Sequence, residues 1–184
     1  MNIPALIEKC KKRNEQAEKE LFFRFAPKIL SICRRYTADE GLAQDYLQEC
    51  FMTLFKNIKQ YQPEKGPFEG WMYRLCTNRI LQEFRKTKRE PALEFWEELP
   101  DQELPEEQFE FIEEELLLSA VRQLPVGYRE VLNLAIFEGW SHQEIAIRLG
   151  ITESTSRSQL SRAKKMLKQF LQPLISTNYE KRLA

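Results

Sequence analysis

Between Leu124 and Leu171 the chain carries side chains suited to reading a polar surface rather than to breaking bonds. Arg157, Ser158, Ser161, Arg162 and Lys165 recur at helical spacing, with Ser154, Lys164 and Lys168 beside them. They therefore share one helix face. A guanidinium presents paired donors that match the edge of guanine, and a serine hydroxyl can donate or accept. Lysines further along meet phosphates, which position a protein without reading sequence. The opposite side, Leu160, Ala163, Leu167, Phe170 and Leu171, is apolar and packs. The preceding residues hold such a helix in place. Ser141-His142-Gln143-Glu144 reads as a capping box, and Ile145, Ala146 and Leu149 form an apolar face behind it. Gly150 supplies the turn, Ile151 plugs the core, and Thr152 is a second N-cap. This is the layout of a helix-turn-helix whose second helix enters a DNA major groove. An amphipathic surface helix with a solvated basic face is the plainer alternative; the paired caps, the glycine and the interleaved hydroxyls weigh against it.

A second group lies upstream. The loop Gln62–Pro67 contains Lys65, and the helix opening at Phe68 carries Trp71, Arg74, Asn78, Gln82, Arg85, Lys88 and Arg89 on one stripe. Met72, Cys76, Ile80 and Phe84 form its core side. Cations for phosphates, amides for base edges and an indole for stacking suit unpaired bases on a charged track. Trp71 reads equally well as a core residue. A third group, Asp45, Gln48 and Glu49, sits one helical turn apart on a helix that buries Leu47, Phe51, Leu54, Phe55 and Ile58. An acidic and amide cluster there suits docking of basic partner residues, although an ordinary solvated face is the simpler reading.

Other chemistry finds no residues to carry it. His142 is the only histidine and reads as an exposed helix residue within the capping box. Cys10, Cys33, Cys50 and Cys76 include no closely spaced pair, so neither a zinc site nor a disulfide framework is expected. The acids near 94–115 lack histidine partners, which argues against a metal-dependent nuclease or hydrolase. No cofactor, metal or catalytic residue is expected, and the chain reads as a binding protein. It shows no signal peptide and no apolar run near the roughly 20 residues that span a bilayer. A cytoplasmic protein with reduced thiols follows.

Net charge is zero, with 28 basic and 28 acidic residues, but the distribution is uneven. Residues 1–90 hold 18 Lys/Arg against 12 Asp/Glu, and residues 119–184 hold 10 against 5. Residues 91–118 hold 11 Asp/Glu and no Lys/Arg. Blocks of this kind mark linkers. Pro91, Pro100 and Pro105 interrupt helices there, and Phe95, Trp96, Phe109 and Phe111 make the stretch aromatic-rich for a spacer. The expected fold is all-α: two small helical domains, 1–90 and 119–184, joined by an acidic linker, the second a winged-helix-like helix-turn-helix domain. Helices are predicted near 3–20, 21–36, 40–60, 68–87, 107–123, 125–138, 142–149 and 153–172.

At these residues the chain resembles the extracytoplasmic-function sigma factors, small members of the sigma-70 family of RNA polymerase. Asp45-Tyr46-Leu47-Gln48-Glu49-Cys50-Phe51 is similar to the family's helix that grips the polymerase clamp. Phe68-Glu69-Gly70-Trp71-Met72-Tyr73-Arg74-Leu75-Cys76-Thr77-Asn78 is similar to the helix that opens the minus-10 element and captures a flipped base, with Asn78 on the matching amide. The resemblance implies core RNA polymerase and promoter DNA as partners. It places the reading of the minus-35 element on Arg157, Ser158, Ser161 and Arg162, and a linker in the polymerase channels on the acidic stretch. Many relatives are held inactive by an anti-sigma factor, so such a partner is a further expectation. Two departures stand out: Ser156 where a valine is usual on the packed side, and Gln159 where an arginine is frequent. The first predicts looser packing of that helix. A response regulator or one-component factor with a similar C-terminus needs a receiver or ligand-binding αβ domain, and the sequence has no such pattern.

Overall fold

Asn2, Asn14, Asp39, Ser141 and Thr152 each start a helix by accepting an otherwise unpaired backbone N–H. In the computed structural model the backbone is described for residues 2–87 and 113–183, and side chains for 2–86 and 113–172. Residues 91–112 of the acidic connector, with its prolines and aromatics, fall outside the described residues together with Lys88, Arg89 and Glu90. Residues 114–118, expected in the connector, instead open the first helix of the second unit. Two compact units divide between Arg89 and Glu90.

In the first unit, α1 spans Ile3–Lys11 and α2 spans Glu15–Arg34. The predicted break near residue 20 lies instead at 12–14. Arg13 takes a left-handed φ of 60°, which ends α1, and the Asn14 side chain accepts from Ala17 N at 2.9 Å to start α2. α3 spans Glu40–Asn57 and is capped by Asp39, whose Oδ1 accepts from Leu42 N at 3.0 Å. The rest of the predicted 40–60 helix is a separate 3₁₀ turn, Ile58–Gln60, and a second short turn covers Pro63–Lys65. α4 spans Phe68–Thr87 and packs against α3.

The apolar stripes of these helices close one core. Leu21, Ile29, Leu54, Met72, Ile80 and Phe84 are all buried, and the Tyr36 and Phe84 rings meet at 5.3 Å. The expected stripe Met72, Cys76, Ile80, Phe84 faces inward; Phe55 is only half-buried. Burying each such side chain contributes about 1.5–3 kcal/mol.

The second unit begins with α5, Glu114–Gln123, which donates Leu117 and Val121 to a core shared with Leu124, Tyr128, Leu132, Ala163 and Met166. Residues 107–112 of the predicted helix lie outside the described residues. α6 spans only Val126–Leu132, then widens into a π turn, Asn133–Phe137. The buried Arg129 guanidinium donates to the carbonyls of Arg122 and Leu124, the latter at 2.8 Å, so the end of α5 is tied off by α6. α7 spans His142–Leu149 and α8 spans Glu153–Leu183, longer than the predicted 153–172.

Candidate nucleic-acid and partner interfaces

The predicted capping box is present in both directions. Glu144 N donates to Ser141 Oγ at 3.2 Å, and Ser141 N donates to Glu144 Oε2 at 2.9 Å. Gly150 sits at φ 71° and its N–H reaches Ala146 O at 3.0 Å, closing α7 in a left-handed cap. Thr155 N donates to Thr152 Oγ1 at 3.0 Å, so α8 starts where the hydroxyl predicts. Beyond it Arg157, Ser158, Ser161, Arg162, Lys164, Lys165 and Lys168 are all exposed. Arg157 pairs with Glu153 one turn back, and Ser158 Oγ donates to Thr155 O at 3.0 Å. The arginine is thereby braced along the helix, with the carboxylate partly screening its charge.

Two sequence expectations change here. Ser156 does not loosen α8: it is fully buried, and its Oγ lies 2.8 Å from His142 Nδ1. His142 is correspondingly half-buried rather than an exposed helix residue, and its ring joins the first turn of α7 to α8. A buried hydroxyl needs a partner, and the ring supplies one.

In the first unit, Tyr61 OH donates to Gly66 O at 3.0 Å and so braces the turn that carries Lys65. Lys65 itself is exposed. The Tyr61, Phe68 and Trp71 rings form a cluster with centroids 5.2 to 5.8 Å apart. Trp71 is therefore half-buried, one part of it packed on aromatic neighbours and the rest open. Arg74, Gln82 and Arg85 are exposed on α4, and Asn78 is half-buried among them. Lys28 of α2 places its ammonium 4.8 Å from the Tyr73 ring, bringing a cation beside this stripe that the sequence reading did not include.

On α3, Asp45 and Gln48 are exposed. Glu49 is not as open as expected. Arg79 Nη2 of α4 lies 2.6 Å from its Oε2 and 2.8 Å from Glu83 Oε1, so Glu49 also ties two helices together. Met52, 58 % exposed, continues the same face one turn on. Arg79 and Met52 were missed because the pairing of α3 with α4 cannot be seen in either helix alone.

The cysteines lie far apart in sequence, yet Cys33, Cys50 and Cys76 come from three helices to one core. All three are buried, and Cys50 Sγ donates to Cys76 O at 3.5 Å. The hydrogen bond with Cys50 and burial both push the Cys33 thiol well above its ordinary value. Burial pushes Cys10 up to about 11. Among the described residues, no grouping of His, Cys, Asp and Glu could hold a metal ion, and no helix is long and apolar enough to cross a membrane.

A capped helix-turn-helix with a basic outer face, on a chain whose other unit bears a basic and amide stripe, is the layout of a DNA-binding protein. Comparison with known proteins makes this specific. The sigma-70 region 2 family matches residues 21–90, and the sigma-70 region 4 family matches residues 114–167. The chain is 31% identical over 158 residues to the ECF RNA polymerase sigma factor SigE of Mycolicibacterium smegmatis, covering 83% of this chain and 60% of that protein. It is 31% identical over 139 residues to RNA polymerase sigma factor SigZ of Bacillus subtilis, covering 73% and 75% of the two chains. It is 29% identical to the RNA polymerase sigma-H factor of Pseudomonas aeruginosa, covering 92% and 94%. Among solved structures, the sigma factor RpoE of Bartonella quintana, bound to the anti-sigma factor NepR, superposes with a TM-score of 0.57 at 19% identity, over 84% of this chain and 96% of that one. CnrH, in complex with the cytosolic domain of CnrY, gives 0.54 at 21% identity, over 92% and 96%. The chain belongs to the sigma-70 family, in its extracytoplasmic-function branch, whose members direct promoter-specific transcription initiation.

Proposed function

We propose that this sigma factor divides its work among three surfaces. The α3 face of Asp45, Gln48 and Glu49 docks on core RNA polymerase. The turn bearing Lys65, with Trp71, Arg74, Asn78, Gln82 and Arg85 on α4, holds the unpaired strand of the minus-10 element. The α8 face of Arg157, Ser158, Ser161, Arg162 and Lys165 reads the minus-35 element. In this scheme residues 1–90 and the unit that opens with α5 are the working domains. The acidic stretch from residue 91 up to α5 repels duplex DNA and occupies a basic channel of the polymerase. The factor acts by binding alone, in the cytoplasm, with no chemistry of its own. An anti-sigma partner is part of the proposal, since RpoE of Bartonella quintana was solved bound to one.

The observation that supports the scheme most is the exposed face of Arg157, Ser158, Ser161, Arg162, Lys165 and Lys168 on a helix held by two caps and a left-handed glycine. A solvated amphipathic helix needs no such bracing. The test is reconstitution of the full chain with bacterial core polymerase. Gel filtration should show one complex, and a promoter library with randomised minus-35 and minus-10 positions should yield transcripts enriched in particular bases. Transcripts without enrichment, or no complex, would overturn the proposal.

A further inference from the structure

The His142–Ser156 contact joins the helix that backs the reading head to the reading head itself. Ser156 lies fully buried on the packed side of α8, immediately before Arg157 and Ser158, and the preceding turn holds Glu153, the ion-pair partner of Arg157. Its Oγ has one inter-helix partner among the described contacts, the Nδ1 of His142 at 2.8 Å. His142 is the first residue of α7, directly after the capping serine, so its backbone is fixed by the capping box. The ring therefore runs from a clamped helix start to the inner side of the turn that presents Arg157. A valine at the Ser156 position would fill this space by shape alone. A hydrogen bond adds a direction: it sets the rotation of α8 about its own axis relative to α7, and a rotation of that first turn moves Arg157 and Ser158 sideways across base edges. Ser156 also has a competing option. A serine in a helix can turn its hydroxyl to the carbonyl four residues back, which bends the helix. Ser156 N already donates to Thr152 O at 3.0 Å, so that carbonyl is within the same turn.

We infer that His142 and Ser156 are a positioning pair for promoter recognition: the imidazole holds the serine hydroxyl away from its own helix and so fixes the orientation from which α8 reads the minus-35 element. The inference rests on α8 being the reading head. Ser156, fully buried, is out of reach of DNA in this arrangement. The pair also explains how this chain accommodates a polar residue at a packed position, and it predicts that the two positions depend on each other. Ser156→Val leaves Nδ1 facing an apolar group, and His142→Ala leaves the hydroxyl to its own carbonyl. Changing both restores a consistent, apolar contact.

The experiment uses holoenzyme made from the full chain and core polymerase on a promoter library randomised across the minus-35 element, read by transcript sequencing. Thermal melting of each variant is measured in parallel. His142→Ala and Ser156→Val should each reduce the preference ratio at the bases facing Arg157 and Ser158 by about five- to tenfold, part of what a lost bidentate contact costs. Preference at bases facing Arg162, further along α8, should change less. His142→Asn should restore the wild-type profile, because its amide places a polar atom where Nδ1 lies, whereas His142→Gln should not. The double variant, Ala at 142 with Val at 156, should recover more preference than the product of the single losses allows. A purely structural contact gives a different result: output falls equally for all library members, in step with melting temperature. That outcome, or singles that leave the profile untouched while Arg157→Ala and Arg162→Ala alter it, overturns the positioning role. If those arginine variants also leave the profile untouched, the reading-head assignment itself is wrong.

Discussion

Replacing Glu49 separates what that side chain does for the fold from what it does for docking. Its carboxylate lies 2.6 Å from Arg79 Nη2, between side chains 38 % and 25 % exposed, and Arg79 keeps a second carboxylate, Glu83, at 2.8 Å. A partly exposed pair of this kind is worth up to about 1 kcal/mol, and the remaining Glu83 contact lowers the loss. Glu49→Ala should therefore destabilise the α3–α4 packing by about 0.5–1 kcal/mol, which is about two- to fivefold faster hydrogen exchange at amides of those helices. Asp45 and Gln48 are exposed, so Asp45→Ala and Gln48→Ala should stay within about 0.5 kcal/mol of wild type. In binding the pattern differs. Each of the three should weaken association with core polymerase by about 1 kcal/mol, roughly fivefold in Kd, if all three meet basic partner residues. Titration of labelled chain with core polymerase gives the Kd, and exchange mass spectrometry gives the protection. If the Asp45→Ala, Gln48→Ala double variant binds like wild type, and Glu49→Ala loses affinity only in proportion to lost protection, the cluster is scaffold and the docking assignment fails.

Asn78→Ala should lower open-complex formation, read by permanganate footprinting, more than closed-complex binding, because extruding a base costs a few kcal/mol that pocket contacts must offset; equal loss of both would return Asn78 to the scaffold. Arg162→Ala should flatten preference at particular minus-35 bases, whereas Lys168→Ala should weaken all sites alike and lower the salt slope by about one unit; binding titrations at several salt concentrations separate the two. Gly150→Ala meets no neighbouring atom but inherits φ 71°, so it should cost about 1 kcal/mol in thermal melts of the second unit through backbone strain alone. No measurable change there would mean the turn relaxes without cost.

The helix-turn-helix was readable because its signals are local. Ser141, Glu144, Gly150 and Thr152 each act within one turn of their own position, and the structure places each at the cap its chemistry predicts. The core stripe of α4 was readable for the same reason. What stayed hidden depends on contacts between helices. Ser156 read as a packing defect because its partner is fourteen positions earlier, and His142 read as exposed because the capping box accounted for its neighbours and not for its ring. The role of Glu49 in tying α3 to α4 was hidden because Arg79 is thirty positions away. Backbone irregularities were also missed. Arg13 takes a left-handed conformation without being glycine, and the widening after Leu132 has no proline or glycine to announce it. The site residues singled out on α8 share an exposed face, while those on α3 and α4 include two, Glu49 and Trp71, that also serve the fold.

The gathered thiols give the protein a built-in reporter of its own breathing. All four cysteines belong to residues 1–76, and the chain beyond has none. Each is buried, with Cys33, Cys50 and Cys76 drawn from α2, α3 and α4. A thiol reagent can reach them only when those helices part, so its rate of reaction is a clock for opening of the first unit and is blind to the second. Added to a holoenzyme, the same reagent would test whether bound core polymerase slows that opening, with the reacted peptides of this chain followed by mass.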